Sequence, residues 1–268
     1  MKSRSATSGQ VQIAFERRAE RAELLAAESS SAAVPLRFAA GLYRVQGAVA
    51  AKLEASGALT GSLAKDAECL LPHLRQVLRY TIDAGPESLA VQAKARLEDD
   101  DATAQSRLLV YWNNEIASGE DYLSRSLLRP YVEVLASLRI SPDRLHRPGC
   151  CPFCGGPAWI SARRSDSTMD GARRILGCAL CGGEWQANRG RCPCCSEENP
   201  EKLPSFHQEA QPSVRIEACD TCHRFVKSID QTVDARSIPE VDDLLSVGMD
   251  LWAAEAGYTR LEPGLAGI

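Results

Sequence analysis

Apolar residues in the first half of the chain recur at the spacing of an α-helix. One stripe lies near the amino terminus, another around residues 70–82, and two more between residues 108 and 128. Because an α-helix turns every ~3.6 residues, each stripe would lie on one helix face. The pattern predicts a bundle of about six helices. The members of the stripes are Val11, Phe15, Ala19, Ala22, Leu25, Leu70, Leu74, Val77, Leu78, Ile82, Leu108, Leu109, Trp112, Ile116, Leu123, Leu127 and Leu128.

Helix-breaking residues separate these stripes. Glycine and proline interrupt helices, and clusters of serine favour loops, so each such cluster predicts a helix boundary. Pro130 is expected to begin a new helix over residues 130–138, since proline suits the first helical turn. The other expected breaks are Ser29–Ser31 with Pro35, Gly57–Gly61, Gly85–Pro86 and Gly119.

The pattern changes after residue 140. The segment Ile140–Gly149 contains two prolines and a glycine and is the expected linker. Short apolar pieces follow, and "PAWISA", "RRILGC", "VRIEAC" and "RFVKSI" predict strands. Helical spacing returns from Ile238, and Pro239 suits the first turn of that helix. Its predicted buried face consists of Val241, Leu244, Leu245, Met249 and Trp252.

Charge and hydropathy limit the possible functions. The 268 residues carry a net charge of −4, and residues 148–268 hold 12 Lys+Arg against 17 Asp+Glu. An acidic second half argues against nucleic-acid binding there. Charged residues interrupt the amino-terminal segment, and no stretch approaches ~18 uninterrupted apolar residues, so we expect neither a secretory signal nor a membrane span. We therefore expect a cytoplasmic protein with reduced thiols.

The cysteines form an internal repeat. Ten of the eleven cysteines lie between Cys150 and Cys222, and eight of them form four C-x-x-C pairs. The first and second pairs start 27 positions apart, and so do the third and fourth, which gives a duplicated unit with an offset of 41. This periodicity indicates duplication of a small module. The pairs are Cys151/Cys154, Cys178/Cys181, Cys192/Cys195 and Cys219/Cys222.

Two C-x-x-C turns brought together by a hairpin complete a tetrahedral site of four sulfur ligands. Such a site suits zinc or iron equally well. A module of about forty residues buries little apolar surface, so the metal would supply much of its stability. The repeat thus predicts two four-cysteine sites with one iron or zinc ion each, and the eight repeated cysteines as their ligands.

Other interpretations remain for some of these residues. Cys219, Cys222 and His223 also spell the haem-attachment pattern C-x-x-C-H, but the repeat already gives both cysteines partners. His223 is then a surface residue or one that tunes the second site. Cys150 and Cys194 are left as extra thiols, either packed residues or thiols with a redox or reserve-ligand role. The arginine pairs at residues 163–164 and 173–174 either solvate a hairpin or meet an acidic partner or nucleic acid.

The expected fold class is α+β: an all-helical amino-terminal domain, two tandem rubredoxin-like or zinc-ribbon modules, and a carboxyl-terminal helix. The expected segments are 1–32 (helical or flexible), 33–145 (helical domain), 146–188 (first module), 189–236 (second module) and 237–268 (helix and tail).

Three stretches resemble the formate dehydrogenase accessory proteins of the FdhE type. They are "CPFCGGPAW", "RRILGCALCGGEWQANRGRCPCC" and "IEACDTCHRFVKSID", followed by the helix "DDLLSVGMDLWAAEAGY". The resemblance covers residues 145–258 well. It implies a cytoplasmic assembly factor, not an enzyme, that binds the catalytic subunit of a respiratory formate dehydrogenase and supports its maturation. It also implies that the four C-x-x-C pairs form two rubredoxin-like sites.

Two alternatives to this function remain open. One is a zinc-ribbon adaptor that binds nucleic acid or transcription machinery, suggested by the paired arginines, although the acidic second half makes nucleic acid the weaker partner. The other is a rubredoxin-like electron carrier, suggested by the set of four thiolate ligands. The nucleotide-binding, zinc-protease and nucleophile-elbow motifs are missing from the sequence, which fits a protein that is not an enzyme.

Overall fold

A computed structural model describes residues 9–114, 121–165 and 172–265. The chain forms two compact units. The first contains most of the amino-terminal half and ends at Leu145, and the second begins at His146 and also includes residues 25–35. Each unit is described separately.

The amino-terminal half of the chain is helical, as the apolar stripes predict. Of the stripe residues, Ile82 and Leu109 are half-buried and Ile116 lies outside the described residues, as does the break at Gly119; the other members are buried. Pro35 lies in the first turn of the second helix. The helices are α1 (Gln10–Glu28), α2 (Ala33–Ser56), α3 (Leu63–Ala84), α4 (Glu87–Leu97), α5 (Asp101–Trp112) and α6 (Tyr122–Leu138).

Pro130 does not begin a helix, and that prediction is wrong. It lies in the middle of α6, whose amino-terminal cap is Asp121, with the carboxylate accepting from the Ser124 backbone N–H at 2.9 Å. A proline inside a helix removes one backbone hydrogen bond. Every residue from Leu123 to Leu135 is buried, and this packing on all sides of the helix offsets the lost bond.

Buried polar contacts of the first unit join distant parts of its sequence. The Tyr131 hydroxyl donates to the Asp66 carboxylate at 2.7 Å, and Asp66 also accepts from the backbone N–H of Thr60 and of Gly61. Trp112 donates its indole N–H to Asp143 at 2.7 Å. Because buried polar groups need partners, these bonds fix α6 against α3 and the end of α5 against the segment after α6.

The second unit contains one continuous sheet. The strands are β1 (Ala158–Ser165), β2 (Ala172–Cys178), β3 (Glu184–Ala187), β4 (Ser205–Gln208), β5 (Gln211–Cys219), β6 (Arg224–Asp230) and β7 (Thr259–Arg260). Within the hydrogen-bonded path the strand order is β3-β2-β1-β6-β5-β4, and β7 pairs with β6. The four predicted strand pieces correspond to β1, β2, β5 and β6, whereas the sequence does not predict β3, β4 and β7.

The two repeated modules join along a parallel seam. A shift of 41 residues brings β2 onto β5 and β3 onto β6. Pairing is antiparallel within each module, but β1 and β6 run parallel, with Ile160 opposite Lys227 and Arg163 opposite Asp230. The first strand of one module therefore pairs with the third strand of the other.

The carboxyl-terminal segment is helical but broken. It consists of α7 (Pro239–Asp242), a 3-10 turn (Asp243–Ser246) and α8 (Val247–Glu255). The prediction that Trp252 shares the buried face is wrong, since 39% of it is exposed. A 3-10 turn has three residues per turn, so it shifts the helical face. As a result α8 packs Met249 and Ala253 into the core of the sheet.

The fold class is confirmed: a helical amino-terminal region precedes a sheet with two cysteine clusters and a terminal helical segment. Among the helices in the described part of the chain, none is long and apolar enough to cross a membrane.

Candidate metal centres

The first cysteine cluster forms where two turns meet at one end of the β1–β2 hairpin. Cys151 and Cys154 lie in the turn before β1, Cys178 ends β2, and Cys181 follows in the next turn. The Sγ atoms of Cys151 and Cys181 are 3.6 Å apart, and those of Cys154 and Cys178 are 3.4 Å apart. All four sulfurs lie within 4.8 Å of one another.

The second cluster repeats this arrangement 41 residues later. The Sγ atoms of Cys192 and Cys222 are 3.7 Å apart, and those of Cys195 and Cys219 are 3.6 Å apart. These four sulfurs also lie within 4.8 Å of one another. The structure thus brings together the eight cysteines that the repeat selects, in the two groups expected.

The geometry excludes disulfides and fits a tetrahedral metal. A disulfide requires an S–S distance of about 2.05 Å, well below the 3.4–3.7 Å found between the sulfurs of both clusters. Four sulfurs at ~2.3 Å from a central ion would lie ~3.8 Å apart. Each cluster can therefore hold one zinc or iron ion with little movement.

Backbone N–H groups point at the sulfurs. Cys178 Sγ accepts from the amides of Leu180 and Cys181 at 3.4 Å, and Cys192 Sγ accepts from the amide of Cys194 at 3.4 Å. Such donors stabilise thiolates. Burial has the opposite effect and raises the pKa of Cys178 well above its usual value. A buried group of four thiolates therefore requires a cation, whose binding releases the thiol protons.

Both modules use the same turn after each C-x-x-C pair. The residue that follows the second cysteine has positive φ: +66° and +62° at Gly155 and Gly182 of the first module, and +65° and +54° at Ser196 and His223 of the second. Its N–H donates to the carbonyl of the first cysteine of the pair, as from His223 to Cys219 at 2.8 Å. His223 thus occupies a turn position with positive φ, at which the first module has glycine.

These four positions give a testable prediction. Ser196→Gly and His223→Gly are each expected to raise the free energy of unfolding of the metal-loaded protein by up to about 1 kcal/mol, because glycine adopts positive φ without steric strain. The matched change in the first module, Gly182→Ala, is expected to lower it by about 1–2 kcal/mol. Urea unfolding measures both. A destabilised His223→Gly protein would show that the imidazole has a structural contact of its own.

The remaining candidates do not join the clusters. Among the residues that the structure describes, Cys150 and Cys194 belong to no group of three or more metal-type donors, and they are half-buried and exposed respectively. The exposed His223 ring lies 6.3 Å from that of Tyr258, and its neighbours Cys219 and Cys222 are in the second cluster, so the haem pattern is not supported.

The paired arginines form ion pairs along the sheet. Arg163 lies 3.4 Å from Asp230, Arg164 contacts Glu184 at 2.6 Å, and Arg174 contacts Glu217 at 2.6 Å. The first of these pairs bridges the seam between the modules, where Arg163 and Asp230 are opposite each other. This placement favours a role in the sheet over one in binding nucleic acid.

A buried charge cluster at the seam was missed by the sequence analysis. Lys227 of β6 has no exposed surface, and its ammonium contacts Asp243 at 3.0 Å and the Asp250 carboxylate. It also donates to the carbonyl oxygens of Asp243 and Ser246. A lysine that shares one face of a strand with Phe225 and Ile229, followed by an acidic helical segment, is the signal that could have revealed it.

Arg260 of β7 completes this cluster. Its guanidinium contacts Asp243 at 2.8 Å and Asp250 at 3.1 Å, and donates to the Trp159 carbonyl of β1 at 3.2 Å. Burial alone would raise the pKa of Asp243, but attraction to Arg260 and Lys227 lowers it below its ordinary value. Two cations and two anions thus fasten the terminal segment to the sheet.

The chain is similar to known proteins named FdhE. Residues 191–265 match the family model described as "FdhE, C-terminal domain". The "Protein FdhE homolog" of Aquifex aeolicus is 26% identical over 182 residues, and that of Pseudomonas aeruginosa is 33% identical over 119 residues. The resemblance to the FdhE family is confirmed.

The FdhE matches differ in how much they cover. The Aquifex aeolicus and Pseudomonas aeruginosa alignments span 66% and 43% of this chain, and 64% and 38% of those relatives. The first relatives are thus matched over less than two thirds of their length. The FdhE homolog of Rhizobium meliloti is 26% identical over 281 residues, which covers 94% of this chain and 90% of that relative.

A solved structure shows the same fold. The crystal structure of the FdhE protein from Pseudomonas aeruginosa aligns with a TM-score of 0.67 at 24% identity, and covers 97% of this chain and 96% of that chain. The fold of the FdhE protein therefore extends over nearly the whole of this chain.

Proposed function

We propose that this protein is an accessory factor for a respiratory formate dehydrogenase, which binds the catalytic subunit in the cytoplasm and supports its maturation. The observation that carries the proposal is the FdhE-like fold over nearly the whole chain, together with two four-cysteine clusters in the expected groups. The protein acts as a binding partner and not as an enzyme, because four thiolates would occupy every coordination position of each proposed metal ion and leave none for a substrate.

The proposed ligands of the two ions are the eight repeated cysteines. Zinc would hold the turns of each module in place without redox chemistry, and iron would add one-electron chemistry at the same ligands. The chain itself supplies the sulfur donors, the amides that stabilise them and the sheet that fixes their spacing.

Genetic complementation tests the accessory role. Deletion of the gene in its own host is expected to abolish formate dehydrogenase activity, and the wild-type protein and its Cys194→Ser variant are expected to restore it. Cys194 is exposed and outside both clusters, so this variant is a matched control for a ligand variant such as Cys178→Ser, which is expected to fail. Full activity in the deletion strain would contradict the proposal.

Co-purification tests the partner. With the tagged protein as bait, the catalytic subunit of formate dehydrogenase is expected to be recovered from cytoplasmic extract. Recovery should persist at high salt, because residues 148–268 carry more Asp+Glu than Lys+Arg, 17 against 12, and this net negative charge disfavours a nucleic-acid bridge between the two proteins. A bait that recovers nucleic acid, with steep dependence on salt, would instead support the adaptor function.

An electron carrier is the second candidate, and the exposure of the second cluster favours it. Cys195 is exposed and Cys222 is half-buried, and a redox partner needs close access to an iron site. Purification without oxygen is the test: bound iron with a reversible change in visible absorption on reduction would support this function. A colourless native protein that contains only zinc would contradict it.

A further inference from the structure

The two clusters have the same ligands but different surroundings. All four cysteines of the first cluster are buried, whereas Cys195 of the second is exposed and Cys222 is half-buried. In the first module the backbone of Gly156 covers the sulfurs so closely that a Cβ there would lie 2.9 Å from Cys178 Sγ and 3.2 Å from Cys154 Sγ. The first cluster is therefore sealed by its own chain.

The equivalent position in the second module is Glu197. Its backbone carbonyl still accepts from the Cys192 amide at 2.8 Å, as Gly156 accepts from Cys151. Its carboxylate accepts from the hydroxyl of Thr221, which lies between Cys219 and Cys222, at 2.6 Å. The two modules thus share the turn but not the close cover over the sulfurs.

The second cluster also borders a cleft. The cleft has a volume of about 150 Å³, and its walls include Cys192 and Cys219 together with the arginines Arg189, Arg191 and Arg224. All three of these arginines are exposed, and one of them, Arg191, lies 3.6 Å from the Glu198 carboxylate. A fourth arginine of the wall, Arg174, is buried and paired with Glu217.

These charges oppose those of the metal site. A divalent ion with four thiolates carries a net charge of −2, which repels anions, and guanidinium groups at the approach offset that repulsion. The cleft thus places positive charge beside the buried ligands Cys192 and Cys219, while Cys195 and Cys222, which are not in its wall, expose the site to solvent.

We propose that the second four-cysteine site exchanges its metal with anionic metal ligands that the arginines of this cleft attract, such as small carboxylate chelators, while the first site holds its metal as a fixed part of the fold. The proposal rests on the metal ligation proposed above. For the ion to leave, oxygen or nitrogen donors of the incoming ligand would have to replace all four sulfurs of the site, and each released thiolate would take a proton from water and leave hydroxide. No electrons are transferred.

The test uses the full chain loaded with two equivalents of zinc. Nitrilotriacetate is expected to remove one equivalent at least about 10-fold faster than the other, because surroundings of this kind change metal binding by about 10–100-fold. Alkylation during the fast phase, followed by mass spectrometry, is expected to label Cys192, Cys195, Cys219 and Cys222 before the cysteines of the first cluster. Cys194, which is exposed from the start, is labelled independently of zinc.

The arginines are tested with two chelators. Substitution of both Arg189→Gln and Arg191→Gln is expected to slow release to nitrilotriacetate severalfold and to leave release to the neutral chelator 1,10-phenanthroline unchanged. The matched control is Arg236→Gln, an exposed arginine of the same unit that is not part of the cleft wall, and both rates should be unchanged in it.

Each contrary outcome has a separate meaning. Release of the two zinc equivalents at the same rate, or earlier labelling of the first-cluster cysteines, would overturn the inference. Either result would still agree with two four-cysteine metal sites. Arginine variants with an unchanged rate for nitrilotriacetate would overturn the role of the cleft. A chain that takes up no zinc would contradict the metal ligation itself, and none of these results depends on formate dehydrogenase.

Discussion

The Cys178→Ser protein is expected to lose at least one metal equivalent and the folded structure of its sheet unit. Cys178 is fully buried. Its sulfur lies opposite that of Cys154 and accepts a hydrogen bond from the Leu180 amide, and both interactions need a thiolate at this position. Structural zinc sites contribute about 10–16 kcal/mol of apparent binding free energy, which exceeds the stability of most domains. Loss of the site should therefore remove the sheet rather than weaken it.

Metal analysis and circular dichroism measure this effect. Helical signal from the first unit is expected to remain while the sheet signal disappears and zinc falls from two equivalents to one or fewer. The matched control is Cys194→Ser, an exposed thiol next to a ligand, and its stability is expected to change by less than about 0.5 kcal/mol. Two bound equivalents in the Cys178→Ser protein would show that the ligand groups are wrong.

Replacement of Lys227 by methionine is expected to lower the free energy of unfolding by about 3–5 kcal/mol, since it leaves two buried carboxylates with a single cation. Asp243 and Asp250 are each only 2% exposed, so water cannot take the place of the missing ammonium. The loss would loosen the terminal helical segment from the seam of the sheet. Urea unfolding with a structural probe in the second unit measures the effect.

A second substitution separates charge from packing. Because coupled residues are not additive, the double variant Lys227→Met with Asp250→Leu is expected to be more stable than the sum of the single changes predicts. Lys202→Met, an exposed lysine of the same unit, is the control and should change stability by less than about 0.5 kcal/mol. A Lys227→Met protein as stable as the wild type would mean that the cluster is solvated or rearranged.

Local patterns in the sequence predicted much of this protein. The helical stripes and the grouping of cysteines follow from short-range periodicity, because residues three or four apart meet on a helix and a C-x-x-C turn closes on itself. The four longer strands also follow from their apolar content. These features need no knowledge of distant contacts.

Other features depend on contacts that no local pattern encodes. The seam brings Ile160 beside Lys227, and nothing near either residue specifies that register. Pro130 continues a helix because the surrounding core stabilises it, and Trp252 becomes exposed because a 3-10 turn shifts the face of the next helix. That His223 occupies a turn position with positive φ is visible only from the backbone angles of both modules.

Because β1 and β6 pair in parallel, the two modules follow one another along the sheet in the same orientation. They are related by displacement along the sheet, so the contact is head-to-tail and does not close on itself. Within the part of the chain that the structure describes, β3 ends the sheet on one side and β4 on the other. A third copy of the module could be added at either end by the same parallel pairing, and the four-residue length of both outer strands limits such extension.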